Sequence, residues 1–254
     1  MIHEYKKNKI NYEIVGNGDT LLVFLHGWGG NVDSFKFVCN NLNFSYKALL
    51  IDFPPFGASE EPNDIWTVFD YASLTKEIIL KEHFENACLV GHSFGGRVAI
   101  ILASEGIGNK LLLTDSAGMK VKHSLKYYLK VGLYKFCKKL KIKNNMGSSD
   151  YKKLSPIMRK TFVNIVNTFL EKYAITINVP TLLVWGERDK DTPIYMAKKL
   201  KRLIKNSELI VFKNAGHFAY VEKAYKFCLI LSAFNISEDG WRITFLNQCL
   251  LEKM

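Results

Sequence analysis

The stretch ACLVGHSFGGRVAIILA, residues 87–103, decides the fold class of this chain. It opens with an unalternated apolar run at 87–90, which predicts a strand buried on both faces. It closes with apolar residues at helical spacing over 94–103. The glycines of the intervening G-x-S-x-G pattern allow a tight strand-to-helix turn, which lifts a serine hydroxyl towards the positive end of the helix. This context predicts that Ser93 is a nucleophile.

Similar apolar runs recur along the chain and alternate with helical patterns. The runs lie at 21–25, 48–51, 87–90, 111–113, 181–185 and 209–212, and the helical patterns include 69–84, 94–103 and 195–204. This alternation predicts an α/β fold with a mostly parallel central sheet and helices on both faces. Residues 10–14 alternate in polarity and predict an antiparallel hairpin with the preceding run across 7–9. Because ligands bind beyond the carboxyl ends of parallel strands, the following loops should form the site.

Residues 120–175 interrupt the alternation with two helical patterns and no strand. We interpret them as a short helical cap inserted into a core of residues 1–119 and 176–254. Residues 120–160 hold thirteen of the 35 Lys and Arg but one of the 24 acids, Asp150, so the net charge of +11 is concentrated there. Within the insertion, residues 125–140 have the pattern of a basic amphipathic helix. Residues 237–254 predict no clear element.

Composition excludes several classes of protein. The apolar runs are far shorter than the roughly 20 residues of a bilayer-spanning helix, and the N-terminus lacks the apolar stretch of a signal peptide, so we expect a cytoplasmic protein.

The basic residues fit no nucleic-acid recognition motif, although a lysine-rich helix can contact acidic lipid peripherally. The cysteines are odd in number, scattered and without metal-ligand spacing, so we expect free thiols and neither a disulfide framework nor a metal site. They are Cys39, Cys88, Cys137, Cys228 and Cys249. No cofactor is expected.

A serine nucleophile needs a base, and the base needs a carboxylate to orient it. His217 follows the run at 209–212 and is the candidate base. Asp189 follows the run at 181–185 and is the candidate acid, which gives the chain order serine, aspartate, histidine. Other carboxylates stay open as the acid: Asp115, Glu187 and Asp191.

The catalytic loops also contain candidate donors for a negatively charged oxygen. The motif HGWGG follows the run at 21–25, so the backbone amide of Trp28 can point towards the same place as that of Phe94. We expect these two amides to form an oxyanion hole. The candidate substrate-binding residues are His26, Gly27, His92 and Tyr128.

Four motifs together resemble the α/β-hydrolase superfamily over residues from about 10 to 235, in its capped esterase and C–C bond hydrolase branch. They are HGWGG at 26–30, GHSFGG at 91–96, WGERD at 185–189 and GHF at 216–218. The resemblance implies the roles given above for Ser93, Asp189 and His217 and for the two amides. Residues 52–59 resemble the D-x-P-G-x-G-x-S loop of the family, from which Pro55 and Phe56 depart.

The resemblance implies a serine hydrolase that forms an acyl-enzyme on a small ester or thioester, without a cofactor. Serine at the strand-to-helix turn of residues 91–95, called the elbow below, argues against epoxide hydrolases and haloalkane dehalogenases, which use aspartate there. Amide hydrolysis, C–C bond hydrolysis of ring-cleavage products and cofactor-free haloperoxidase activity remain open, as does a non-catalytic receptor on the same fold. The lysines of the insertion favour the hypothesis of an anionic or carrier-bound acyl substrate. A simple solvated lysine face is the competing interpretation.

Overall fold

The computed structural model describes residues 1–120 and 154–236 of the chain. Tyr128, the amphipathic pattern at 125–140 and the residues from 237 onward lie outside this part. Eight strands are present within it. They are β1 (Ile2–Tyr5), β2 (Asn8–Gly16), β3 (Thr20–Leu25), β4 (Tyr46–Ile51), β5 (Cys88–His92), β6 (Lys110–Thr114), β7 (Thr181–Gly186) and β8 (Ser207–Phe212).

Helices connect most of these strands. The described residues form α1 (Asp33–Asn40), α2 (Val68–Lys81), α3 (Phe94–Ser104), α4 (Pro156–Val166), α5 (Glu171–Ala174), α6 (Tyr195–Leu203), α7 (Ala219–Glu222) and α8 (Ala224–Ile236). The predicted helices at 69–84, 94–103 and 195–204 correspond to α2, α3 and α6. The first of them ends three residues early, and His83 there has a positive φ of 60°, which cannot continue a helix.

The strands form one sheet in the order β1-β2-β4-β3-β5-β6-β7-β8, parallel from β4 to β8. The predicted mostly parallel sheet is therefore confirmed. The hairpin of β1 and β2 is antiparallel as expected, but its turn is shorter than the predicted 7–9. Lys6 and Lys7 both have positive φ, which is typical of a two-residue hairpin turn, and Asn8 already pairs with Tyr5.

Both faces of the sheet are covered, which explains why its strands read as continuous apolar runs. In β5, Leu89 belongs to one buried cluster and Val90 to the other. Helices α2, α3 and α6 contribute to the first cluster, and α1 and α8 contribute to the second. The loops at its carboxyl edge therefore start from a sheet that is close-packed on both faces.

The described part of the predicted insertion contains α4 and α5 and no strand. Several polar contacts join it to the core. The Trp66 amide donates to the Thr161 hydroxyl at 3.0 Å, and the Arg97 guanidinium donates to the Thr168 carbonyl at 2.5 Å. The Leu170 amide donates to the Gly118 carbonyl at 2.9 Å, and Lys199 pairs with Glu171 at 2.6 Å. The boundaries of the cap remain a prediction. None of the helices in the described residues combines the length and the apolar character needed to cross a bilayer.

Candidate active site

Ser93 occupies a strained turn between β5 and α3. Its backbone has φ 49° and ψ −109°, outside the regions that side chains ordinarily favour. The turn can close because the residues two positions before and after Ser93 are glycines. A Cβ atom at Gly91 would lie 2.7 Å from the Cα of Gly96, and one at Gly95 would lie 2.0 Å from the carbonyl oxygen of Leu25. The local sequence thus holds the Ser93 hydroxyl at the sheet edge, at the start of α3.

The loops after β7 and β8 bring the other two candidates to this hydroxyl. His217 Nε2 lies 3.0 Å from Ser93 Oγ, and His217 Nδ1 lies 2.9 Å from Asp189 Oδ2. Asp189 is buried. Because a carboxylate accepts the proton of Nδ1, Nε2 is left with a lone pair for the serine hydroxyl. The three side chains form a continuous hydrogen-bonded chain, called the relay below, with the geometry expected of a nucleophile, a base and an acid.

The charges of the relay stabilise one another. Burial opposes charge on His217, but the hydrogen bond and the negative charge of Asp189 outweigh it and raise the pKa of the imidazole above its usual 6.5. Burial likewise opposes charge on Asp189, yet hydrogen bonds from His217 and Thr192 keep the pKa of this carboxyl below its ordinary value. Asp189 is therefore ionised at neutral pH, and the imidazolium formed during proton transfer is stabilised.

Thr192 is a further residue of this network, and sequence reasoning missed it. Its hydroxyl lies 2.5 Å from Asp189 Oδ2 and 2.9 Å from the carbonyl oxygen of Asp115, and it is 3.3 Å from His217 Nδ1. Its amide also donates to Asp189 Oδ1 at 3.0 Å. A hydroxyl three residues after an aspartate in a loop is the only sequence signal that could have indicated it.

The alternative acids occupy other positions. Asp115 is fully buried and accepts from the Gly186 amide at 2.8 Å and the Ala219 amide at 3.1 Å, so it links the two catalytic loops. Burial raises the pKa of its carboxyl to about 7. Glu187 accepts from a backbone amide at the surface. Among the carboxylates of the described residues, only Asp189 is hydrogen-bonded to His217.

The candidate oxyanion hole lies between β3 and the start of α3. Neither the amide of Trp28 nor that of Phe94 has a hydrogen-bond acceptor within the described ranges 1–120 and 154–236. The Trp28 ring packs edge-on against Phe94 with centroids 5.5 Å apart, and against Phe56 at 5.0 Å. Phe56, a departure from the family loop, thus supports this wall. Both amides are available as donors to an oxyanion.

A cavity of about 410 Å³ opens at Ser93. Its described walls are mostly aromatic or glycine, with one carboxylate that does not belong to the relay. They comprise Gly27, Trp28, Gly29, Gly30, Ser34, His92, Ser93, Phe162, Asp191, His217, Phe218 and Tyr220. The participation of α4, through Phe162, was not indicated by its apolar pattern, which fits any packed helix. Such a concave site, which combines aromatic side chains with several polar groups, suits a small organic substrate.

The four predicted substrate-binding residues differ in where they lie relative to the cavity. Gly27 and His92 line the cavity, and Tyr128 lies outside the described residues. His26 is buried away from the cavity walls, where its Nδ1 donates to the Gly27 carbonyl at 2.8 Å and its Nε2 accepts from the Phe53 amide at 2.9 Å. Burial lowers its pKa to about 4, so it is neutral. In this geometry His26 supports the loop from beneath.

His92 joins the elbow to the base. Its Nε2 donates to the carbonyl oxygen of His217 at 2.8 Å, and its ring lies 4.9 Å from that of His217. Burial and, to a smaller extent, the nearby His217 lower the pKa of His92 to about 3, so the ring stays neutral. This hydrogen bond fixes the backbone of the base independently of the serine.

One group of metal-ligating side chains occurs in the described residues, and it overlaps the relay. Ligand atoms of Asp189, Asp191 and His217 lie within 4.8 Å of one another. Both ring nitrogens of His217 are already hydrogen-bonded to Asp189 and Ser93, and the Asp189 oxygens accept three further hydrogen bonds from the loop. These hydrogen bonds fit proton transfer. They already occupy the oxygen and nitrogen atoms that would have to coordinate a cation.

Comparison with known proteins bears on the fold and the family of this chain. A family model described as alpha/beta hydrolase fold matches residues 20–111 and 120–224. The AB hydrolase superfamily protein YisY of Bacillus subtilis (strain 168) is 30% identical over 89% of this chain and 94% of its own length. An esterase from Exiguobacterium antarcticum superimposes with a TM-score of 0.75 at 22% identity, over 93% of this chain and 98% of that one.

Two more distant relatives have named activities. The pimeloyl-[acyl-carrier protein] methyl ester esterase of Wigglesworthia glossinidia brevipalpis is 25% identical over 88% of this chain and 96% of its own. A 2-hydroxy-6-oxononadienedioate/2-hydroxy-6-oxononatrienedioate hydrolase of a Pseudomonas species is also 25% identical, over 86% and 88%. Both the family match and the relatives cover most of the chain. The protein therefore belongs to the α/β-hydrolase family.

Proposed function

We propose that this protein is a serine hydrolase that cleaves a small carboxylic ester or thioester through an acyl-enzyme. Ser93 attacks the carbonyl carbon while His217 accepts its proton, and the amides of Trp28 and Phe94 bind the oxyanion. His217 then returns the proton to the leaving alcohol or thiol, and a water molecule hydrolyses the acyl-enzyme by the same route. Asp189 orients the imidazole and stabilises its charged form.

One observation carries the proposal: His217 lies within hydrogen-bond distance of both Ser93 and Asp189, at 3.0 Å and 2.9 Å. A non-catalytic receptor on the same fold needs no defect in these three residues, so labelling of Ser93 by a reactive probe is what separates the two functions. The aromatic cavity beside Ser93 has room for a small acyl group. The esterase among the relatives supports the same class of reaction.

Hydrolysis of a carbon–carbon bond is the second candidate, and one relative with that activity favours it. Its substrates of the ring-cleavage type are carboxylates, for which a cationic binding group is expected. The described lining of the cavity instead contributes the carboxylate of Asp191. Ester or thioester hydrolysis therefore fits the described walls better.

A fluorophosphonate probe tests the nucleophile directly. We expect the probe to label the wild-type protein and to leave Ser93→Ala unlabelled. Ser104→Ala is the control, because this serine lies at the end of α3 and donates to a backbone carbonyl at 2.7 Å, remote from the relay. A folded wild-type protein that stayed unlabelled would overturn the enzymatic interpretation.

Reaction class requires a substrate panel. Short-chain p-nitrophenyl esters, the matching thioesters and one ring-cleavage dienoate should be compared by kcat/KM. We expect the esters and thioesters to be hydrolysed and the dienoate to be a much poorer substrate. Preferential turnover of the dienoate would reverse the order of the two candidates.

A further inference from the structure

Asp191 places a negative charge in the cavity without belonging to the relay. One of its carboxylate oxygens lies within 4.8 Å of a ring nitrogen of His217. Its backbone amide donates to Asp189 Oδ1 at 2.8 Å, so the position of the residue is fixed by the acid itself. The side chain is exposed, and none of the ion pairs formed among the described residues includes it.

The walls around this carboxylate reinforce its preference for cations. Trp28, Phe162, Phe218 and Tyr220 line the same cavity. Aromatic faces attract ammonium groups, and a charge acts more strongly in a cleft than on an open surface. A substrate cation would meet both sources of attraction, whereas a carboxylate would meet repulsion from Asp191.

We infer that Asp191 determines substrate charge, so that the site prefers esters with a positively charged group and discriminates against those with a carboxylate. This inference rests on the proposed ester hydrolysis and names the substrate class of the same site. It runs opposite to the hypothesis that the basic insertion recruits an anionic substrate. The two effects differ in range. Attraction by the lysines of the insertion would act over a distance and is screened beyond about 10 Å at 0.1 M salt, whereas a cation bound against Asp191 lies at contact distance, where screening is smaller.

Three p-nitrophenyl esters of equal chain length separate these effects. They end in a trimethylammonium group, the uncharged tert-butyl group of similar shape, and a carboxylate. We expect kcat/KM to be highest for the ammonium ester, exceeding the carboxylate ester about fivefold, with part of the preference retained at about 0.5 M salt.

Asp191→Asn keeps the shape of the side chain and removes its charge. We expect the variant to lose most of the ammonium-to-carboxylate preference. Asp19→Asn is the matched control, because Asp19 is exposed before β3, at the opposite edge of the sheet from Ser93. It removes the same charge from the molecule and should leave the preference intact.

The outcomes distinguish this inference from the proposed function. Equal kcat/KM for the three p-nitrophenyl esters would overturn the role of Asp191 alone. An unchanged ammonium-to-carboxylate preference in Asp191→Asn would do the same. A preference for the carboxylate ester that disappears at high salt would favour recruitment by the lysines instead. Absence of turnover for all three esters would overturn the proposed function and the inference with it.

Discussion

The candidate base has three carboxylates in its surroundings, and geometry separates their roles. Asp189 accepts a hydrogen bond from Nδ1, whereas Asp115 and Asp191 act on the imidazole through charge alone. Only a hydrogen-bonded acid can fix the tautomer that leaves Nε2 unprotonated. The identity of the acid is therefore a question about a single hydrogen bond.

Asp189→Asn should lower kcat about 10⁴-fold, because an amide can donate to Nδ1 and favour the wrong tautomer. Asp115→Asn should cost far less activity, since Asp115 contacts backbone amides instead of the imidazole. The comparison uses kcat on a neutral p-nitrophenyl ester, with folding checked by circular dichroism. A fully active Asp189→Asn beside an inactive Asp115→Asn would reassign the acid.

The pH dependence of activity should follow His217. The imidazole must be neutral to accept the serine proton, so kcat/KM should fall as the pH drops through its pKa, which lies above 6.5. The charge of Asp191 contributes to the raised pKa, so Asp191→Asn should move the midpoint of the acid limb to lower pH. A flat kcat/KM profile from about pH 5 to 8 would contradict the assignment of the base.

Thr192 should act as a positioning residue for the acid. Thr192→Val preserves the shape of the side chain but removes the hydroxyl that lies 2.5 Å from Asp189 Oδ2. We expect kcat to fall roughly tenfold with little change in KM, because a buried carboxylate loses one hydrogen bond. Thr192→Ser should restore most of the activity. Equal losses in the valine and serine variants would indicate a packing role for the methyl group instead.

Four strand-to-loop junctions assemble the site at the scale of elements. The loops after β3, β5, β7 and β8 all start at the carboxyl edge of the parallel region, although their residues span nearly 200 positions of the sequence. Glycines permit the closest approach between two of these loops: a Cβ atom at Gly27 would lie 2.8 Å from His92 Nδ1 and 3.3 Å from Ser93 Cβ.

Gly27→Ala should therefore damage catalysis more than stability. The His92 ring is held by its hydrogen bond to the His217 carbonyl, so the added methyl group should displace the loop and with it the Trp28 amide. We expect kcat to fall about 100-fold, the typical cost of losing one oxyanion donor.

Gly106→Ala is the control, because Gly106 has positive φ but open space around its Cα. It should lower the free energy of unfolding in urea while leaving kcat unchanged. Full activity of Gly27→Ala would show that the loop tolerates the methyl group and that the close approach has no catalytic importance.

The elements were predictable because each apolar run reports burial on both sides of the sheet, as Leu89 and Val90 illustrate. The elbow was predictable because its glycines are required locally, where a Cβ atom would clash with neighbouring backbone. Asp191, Thr192 and the buried position of His26 were not. Their roles depend on how separate loops meet, and a polar residue in a loop carries no sequence signal for its distant neighbours.

The molecule as a whole combines a rigid core with a helical segment that contributes to the cavity. Phe162 of α4 packs against Trp28 with ring centroids 5.2 Å apart, so the segment contacts the candidate oxyanion loop. Arg97 of α3, four residues after Ser93, reaches the same segment through the Thr168 carbonyl. Burial lowers the pKa of its guanidinium to about 10, which still leaves it charged at neutral pH.

Arg97→Met should loosen this segment without unfolding the core. Methionine fills similar apolar space but cannot donate to Thr168, and the loss of a buried charge offsets part of the lost hydrogen bond in the global stability. Hydrogen exchange read by mass spectrometry should be roughly tenfold faster over residues 156–174 and unchanged in β5. Arg202→Met, at an exposed position of α6, should leave both regions unchanged. Uniformly faster exchange in Arg97→Met would assign Arg97 to global stability instead of to the attachment of this segment.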